Sequence, residues 1–115
     1  IYEIVKLANQ AGREAAAIGA ACAVVDEAAR DASEDNGYCQ YFTHRTGHGL
    51  GMEGHEEPYM RGDNRLPLAE GMSFTVEPGI YLDGRGGVRI EDDVVMTADG
   101  PRSLSTFPRE LRVVG

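Results

Sequence analysis

The sequence is short of positive charge. Eleven lysines and arginines stand against nineteen aspartates and glutamates, giving a net charge of −8 and a pI of about 4.7. That balance excludes a nucleic-acid backbone as the expected partner. No apolar run reaches the ~20 residues that span a bilayer, so no membrane partner is expected. The opening "IYEIVKLANQAGREAA" lacks a basic region followed by an apolar core and is not a secretory signal. Cysteine is scarce. Cys22 and Cys39 are far apart and in no metal spacing, which predicts free thiols in a reducing, cytoplasmic compartment. There is no internal repeat and no low-complexity linker. The first residue is Ile1 rather than Met, in an amphipathic pattern from the start, which reads as a piece of a longer protein. What remains is 115 residues, 42% hydrophobic and 26% charged, the profile of one modest globular domain.

The chain divides in two. Residues 1 to about 36 are alanine-rich, with Ile4, Leu7, Ala8, Ala11 and Ala15 at helical spacing. Gly19 predicts a break into two helices, and Asn36-Gly37 a stop. Asp26, Asp31 and Asp35 read as the solvent face of the second helix. From residue 38 to 115, glycine, proline and β-branched residues dominate. "SFTVEPGIYL", "GVRIEDDVVMT" and "PRSLST" predict strands, with turns at "DGRGG" and "ADG". Helices followed by strands predict an α+β layer, two helices packed on a mainly antiparallel sheet.

Histidine is also scarce, and it is concentrated. All three histidines lie in "HRTGHGLGMEGHE", residues 44–56, beside four of the fifteen glycines. The glycines make a helix improbable there and predict a loop or short strand whose backbone approaches a neighbour closely. A flexible loop with surface histidines is the bland alternative, and HxxxH alone is only a moderate signal. The acids sharpen it. Alternation places Thr75 and Glu77 on one strand face, opposite Phe74 and Val76, and Arg89, Glu91 and Asp93 opposite Val88 and Ile90. If the two strands pair around "LDGRGG", Glu77 and Glu91 meet on one polar face. Two carboxylates beside a histidine loop suit Mn²⁺, Co²⁺, Fe²⁺ or Zn²⁺ better than a thiolate-held structural zinc.

"HRTGHGLGMEGHEEPY", "GMSFTVEPGIY", "GVRIEDDVVMT" and the terminal "FPREL" closely resemble the creatinase/aminopeptidase P/prolidase metallopeptidases, which have the pita-bread fold. The Xaa-Pro dipeptidase and Xaa-Pro aminopeptidase branch is the most similar. The resemblance runs over nearly the whole chain, and four ordered motifs at compatible spacings make it specific. It implies that residues 1–115 are the carboxy-terminal portion of one catalytic domain. It implies a two-metal hydrolase that cleaves the bond before proline in di- or oligopeptides, with Mn²⁺ foremost among the ions and a homo-oligomeric assembly. His48 and Glu77 then correspond to metal ligands, and Glu91 to the carboxylate that bridges both ions. His44 corresponds to a histidine that holds substrate near the scissile carbonyl. His55 corresponds to one that contacts substrate and shuttles protons, and Arg89 to an arginine that orients substrate.

Two further ligands implied by the resemblance are aspartates upstream of Ile1, and no residue here takes their place. This chain alone is therefore expected to be inactive. A metal-free C–N hydrolase of creatinase type, or a binding module that kept the fold and lost catalysis, are the alternatives. Other conspicuous features read plainly: "RGD" at Arg61–Asp63 as a surface turn, "DGRGG" as a hairpin turn, and the methionines (Met52, Met60, Met72, Met96) as core packing.

Overall fold

A computed structural model describes all of residues 1–115. Two helices, α1 (Tyr2–Ala15) and α2 (Cys22–Glu34), precede a single turn of 3₁₀ helix at Cys39–Tyr41. Seven strands follow: β1 (Gly47–Gly49), β2 (Glu56–Met60), β3 (Ser73–Val76), β4 (Gly79–Leu82), β5 (Gly86–Arg89), β6 (Asp92–Thr97) and β7 (Gly100–Ser103). Five form an antiparallel sheet in the order β2-β1-β3-β6-β7, while β4 and β5 form a separate two-stranded ribbon. The helices pack on each other and cover one face of the larger sheet, the expected α+β layer.

The buried face of α1 is Val5, Ala8, Asn9 and Gly12, not the Ile4, Leu7, Ala11 and Ala15 stripe that apolar spacing suggests. Leu7 is 51% exposed while Asn9 is fully buried. Burial here follows close approach and hydrogen bonding rather than hydrophobicity. Helix α1 carries Glu3 in its first turn and Arg13 in its last, the arrangement that the helix dipole favours. Helix α2 has no side-chain cap at its start. Its first amides, Cys22 and Ala23, donate instead to the carbonyls of Leu66 and Asn64, which satisfies them with backbone.

Between helices and sheet lies a core of Ala16, Cys22, Val25, Met60, Leu68, Phe74, Val76, Val94 and Met96. Each large member contributes on the order of 1.5–3 kcal/mol by leaving water. Three methionines serve this core, two buried and Met72 packed against it, but Met52 stands fully in solvent on the histidine loop. Both cysteines are free, Cys22 buried and Cys39 half-buried. Residues 61–63 form an exposed turn, as expected.

Four readings need correction. Glu56–Met60 is a strand, which Pro58 and adjacent glutamates concealed. "SFTVEPGIYL" and "GVRIEDDVVMT" are each two strands, interrupted at Glu77-Pro78 and Ile90-Glu91. The third strand begins at Gly100 and stops at Ser103. Asp31 and Asp35 face solvent, but Asp26 is buried because Arg30 and Thr46 both bind its carboxylate.

Candidate metal centre

The interruption of the two long strands makes the site. Ser73 pairs with Val95 and Val76 with Asp92; farther on, Gly79 pairs with Arg89 and Leu82 with Gly86. Both segments obey one register, so β3–β4 and β5–β6 are the arms of a single hairpin with a gap in its ladder. That register puts Glu77 opposite Glu91 inside the gap. Pro78 has no N–H to contribute, so the ladder cannot run unbroken through this point. Only the Ile90 N–H, donating to the Pro78 carbonyl at 3.3 Å, crosses it.

Strand β1 lies between β2 and β3 and brings the histidine. A Cβ on Gly47 would fall 1.7 Å from the Thr75 carbonyl oxygen, and one on Gly49 2.1 Å from that of Glu57. No side chain fits at either position, so the glycines serve strand-to-strand approach. His48 between them is 6% exposed. Its backbone N–H donates to Thr75 Oγ1 at 3.0 Å. Its Nδ1–H donates to the Gly49 carbonyl at 2.9 Å, which leaves Nε2 with a free lone pair. Nε2 lies 3.6 Å from Glu77 Oε1. One donor atom each from His48, Glu77 and Glu91 falls within 4.8 Å of the others.

The charge balance of this cluster calls for a cation. Burial pushes the Glu91 carboxyl above its ordinary pKa, and its hydrogen bond with Glu77 and the charge of Glu77 push it further. The charge of Arg89 acts the other way. No lysine or arginine forms an ion pair with either glutamate. Two facing carboxylates and an imidazole lone pair fit a divalent ion of the Mn²⁺–Zn²⁺ class, and three donors leave positions open for others.

The other sequence-derived residues surround this cluster without joining it. His55 is exposed, its ring 4.8 Å from that of His48 and nearly perpendicular to it. His44 lies apart, donating from Nδ1 to the Arg45 carbonyl at 2.6 Å. Its Nε2 accepts from the Tyr81 hydroxyl at 3.0 Å. Burial holds His44 below its usual pKa, and the charges of Arg89, Arg30 and Arg45 add to this against the Arg45 carbonyl. Arg89 ends β5, exposed, and its charge acts on both His44 and Glu91.

The supports were not foreseen. Arg30 donates to Asp26 Oδ2 at 2.8 Å and to the carbonyls of Phe42 and His44 at 2.9 and 2.6 Å. Asp26 Oδ1 accepts from the Thr46 N–H and hydroxyl at 3.1 and 2.8 Å. The Thr46 carbonyl in turn accepts the Glu77 N–H at 2.6 Å. Helix α2 thus holds the segment carrying His44 and one edge of the Glu77 peptide. Asn9 of α1 reaches the same gap from below, donating to the carbonyls of Val76 and Ile90. An aspartate with an arginine four residues on, and an asparagine within a buried helical stripe, were the available signals.

Comparison with known proteins finds relatives over nearly the whole chain. The chain is 49% identical over 113 residues to a probable dipeptidase PepE of Mycobacterium tuberculosis, covering 98% of this chain and 30% of that protein. It is 46% identical over 114 residues to an Xaa-Pro dipeptidase of Lactobacillus delbrueckii, covering 99% and 31%. Among solved structures, an Xaa-Pro dipeptidase from Bacillus anthracis superimposes with a TM-score of 0.96 at 42% identity, over 99% of this chain and 32% of that one. A prolidase from Thermococcus sibiricus does so with a TM-score of 0.94 at 50% identity, over 96% and 30%. The chain therefore spans about a third of the length of these relatives, and its α+β layer is part of the pita-bread fold. Residues 1–98 match metallopeptidase family M24, and the chain belongs to that family.

Proposed function

We propose that the protein carrying this chain hydrolyses the peptide bond preceding proline, as an Xaa-Pro dipeptidase or aminopeptidase, with two divalent ions. The convergence of His48, Glu77 and Glu91 carries this reading, and the Xaa-Pro dipeptidases among its relatives support it. Residues 1–115 form the carboxy-terminal part of the catalytic domain and supply three of five ligands. His48, through Nε2, and the Glu77 and Glu91 carboxylates would hold the ions. Mn²⁺ is the ion favoured, with Co²⁺, Zn²⁺ and Fe²⁺ as alternatives. Bound divalent ions polarise a carbonyl and make water nucleophilic near neutral pH.

The chain's own residues do the rest. His44 is the residue that holds the substrate near the scissile carbonyl. His55, exposed beside His48, moves a proton to the prolyl nitrogen as the C–N bond breaks. Arg89 orients the substrate or neighbouring side chains. The prolyl nitrogen has no hydrogen and sits in a fixed ring, so a site shaped for it rejects ordinary peptides by geometry. The free thiols fit a cytoplasmic setting. Exposed Leu111, Val113 and Val114 support a homo-oligomer or further cover by the same protein. No helix is long and apolar enough to cross a membrane.

A creatinase-type reaction without metal ranks lower, because all three donors are present and lack a counter-cation. The test is turnover by the full-length protein of an Xaa-Pro dipeptide against an Xaa-Pro-Xaa tripeptide, before and after chelation. Cleavage that chelation abolishes and Mn²⁺ restores is expected, and the preferred length assigns the branch. Cleavage indifferent to chelation would sink the metal reading.

A further inference from the structure

Asn9 is fully buried in the middle of α1, an unusual place for an amide. Its Nδ2 donates to the Val76 carbonyl at 3.2 Å and to the Ile90 carbonyl at 3.1 Å. These are the carbonyls immediately before Glu77 and Glu91. A carbonyl and the N–H that follows it share one rigid plane. Each contact therefore fixes the peptide from which one glutamate departs. The plane before Glu77 is gripped on its other edge too, by the Thr46 carbonyl at 2.6 Å.

The position of this clasp matters. Elsewhere along the hairpin, ladder hydrogen bonds set the distance between the arms. In the gap at 77–78 and 90–91 that ladder is reduced to the long Ile90–Pro78 bond, and one side-chain amide with two N–H groups spans the gap as well. The amide cannot turn over, because its Oδ1 accepts from Arg13 Nε at 2.8 Å. Gly12 lets the helix come close enough for so short a side chain to reach: a Cβ there would lie 3.0 Å from Val76 Cγ1.

We infer that Asn9 is a positioning residue for the metal pair, setting the spacing of the Glu77 and Glu91 carboxylates by clasping the backbone that carries both. The inference rests on the reading that those carboxylates hold the ions. A purely structural asparagine would affect stability and leave the ions' affinity unchanged. An asparagine that spaces the ligands affects affinity at matched stability.

The experiment uses the full-length protein, freed of metal by chelation. Mn²⁺ and Co²⁺ are titrated by calorimetry, and the visible spectrum of the Co²⁺ form is recorded. Asn9→Leu keeps the volume and removes both donors. Leu68→Ala, in the core where its backbone bonds Gly19 and Ala20, serves as the destabilised control. Asn9→Leu is expected to weaken metal binding by roughly 10–100-fold, the usual weight of groups that orient ligands, and to alter the Co²⁺ spectrum. It is also expected to lower kcat with little change in KM, while Leu68→Ala binds as the wild type does. A folded Asn9→Leu protein with wild-type affinity and spectrum would overturn the inference. Should that variant not fold, Arg13→Gln frees the amide without emptying the core. A several-fold loss of affinity there supports the role, and unchanged affinity overturns it. A wild-type protein that takes up no ion sinks the metal reading itself, whereas equal uptake by wild type and variants sinks only the role of Asn9.

Discussion

Arg109 grips Asp92 with two nitrogens, Nε 2.9 Å from Oδ2 and Nη2 2.6 Å from Oδ1, one residue beyond Glu91. Asp92 is almost completely buried, and this contact, with Ser103 and Asn9, holds its carboxyl below the usual range despite burial. Tyr2 meanwhile donates to the Arg109 carbonyl at 2.6 Å, so "FPREL" is tied to both α1 and β6. Removing the guanidinium leaves a buried charge compensated only in part, by Arg13 at 3.7 Å and the Ser103 hydroxyl at 3.1 Å. Arg109→Ala should therefore cost about 2–4 kcal/mol, a discount on a fully buried pair because Arg109 is partly exposed. Urea denaturation measures this, and an unchanged midpoint would contradict it.

His44 makes stability depend on pH. It is held below its ordinary value of 6.5, chiefly by burial. As pH falls through 6.5 the unfolded chain takes up a proton before the folded one does, so folding stability declines below that point. Glu91, whose pKa is raised, contributes with the opposite sign near its own range. The contribution of His44 is therefore read by difference. The loss of stability between pH 7 and pH 5 should be smaller in His44→Gln than in the wild type, and equal slopes would show that His44 charges freely in the fold.

His55→Ala in the full-length protein should lower turnover of an Xaa-Pro substrate by roughly 10²–10⁴-fold, the usual weight of a positioned acid–base group. Its ring touches His48 edge-on and is no part of the donor cluster. Metal content, measured by elemental analysis, should stay near wild type. Intact turnover would return His55 to the status of a surface residue.

A polypeptide of these 115 residues alone should bind at most one ion weakly and show no peptidase activity, since three donors neither balance nor coordinate two ions. It should also self-associate, because Phe107, Leu111, Val113 and Val114 are between 61% and 88% exposed and β2 and β7 are open sheet edges. Elemental analysis, a cleavage assay and light scattering check each part. Two tightly held ions with turnover, or a clean monomer at high concentration, would contradict it.

That Glu77 and Glu91 share a face was legible because strand alternation needs only local sequence, whereas singling out His48 rested on the family resemblance. Glu77 and Glu91 meet as alternation requires, although neither lies within a strand: the register carries across the gap that Pro78 forces. Thr75 was assigned a polar face and is fully buried, since that face is roofed by β1 and its hydroxyl serves the His48 amide. The supporting residues were not legible. Asp26 has the spacing of an ordinary solvent-facing helical acid, and only the return of residues 42–46 against α2 buries it. Asn9 interrupts an apolar stripe and looks like noise until the two carbonyls it serves are brought together from residues far along the chain.

The shared register of the two hairpin arms has a consequence for how such a protein can change. Because paired backbones and not the tip define where Glu77 and Glu91 face each other, the turn at residues 83–85 is free to be rebuilt or to carry a grafted loop. The arms themselves tolerate insertions only in matched pairs, since one unmatched residue rotates an arm and sends a carboxylate to the opposite face. Sequence change can thus accumulate at the tip, while the spacing beneath it is inherited unaltered.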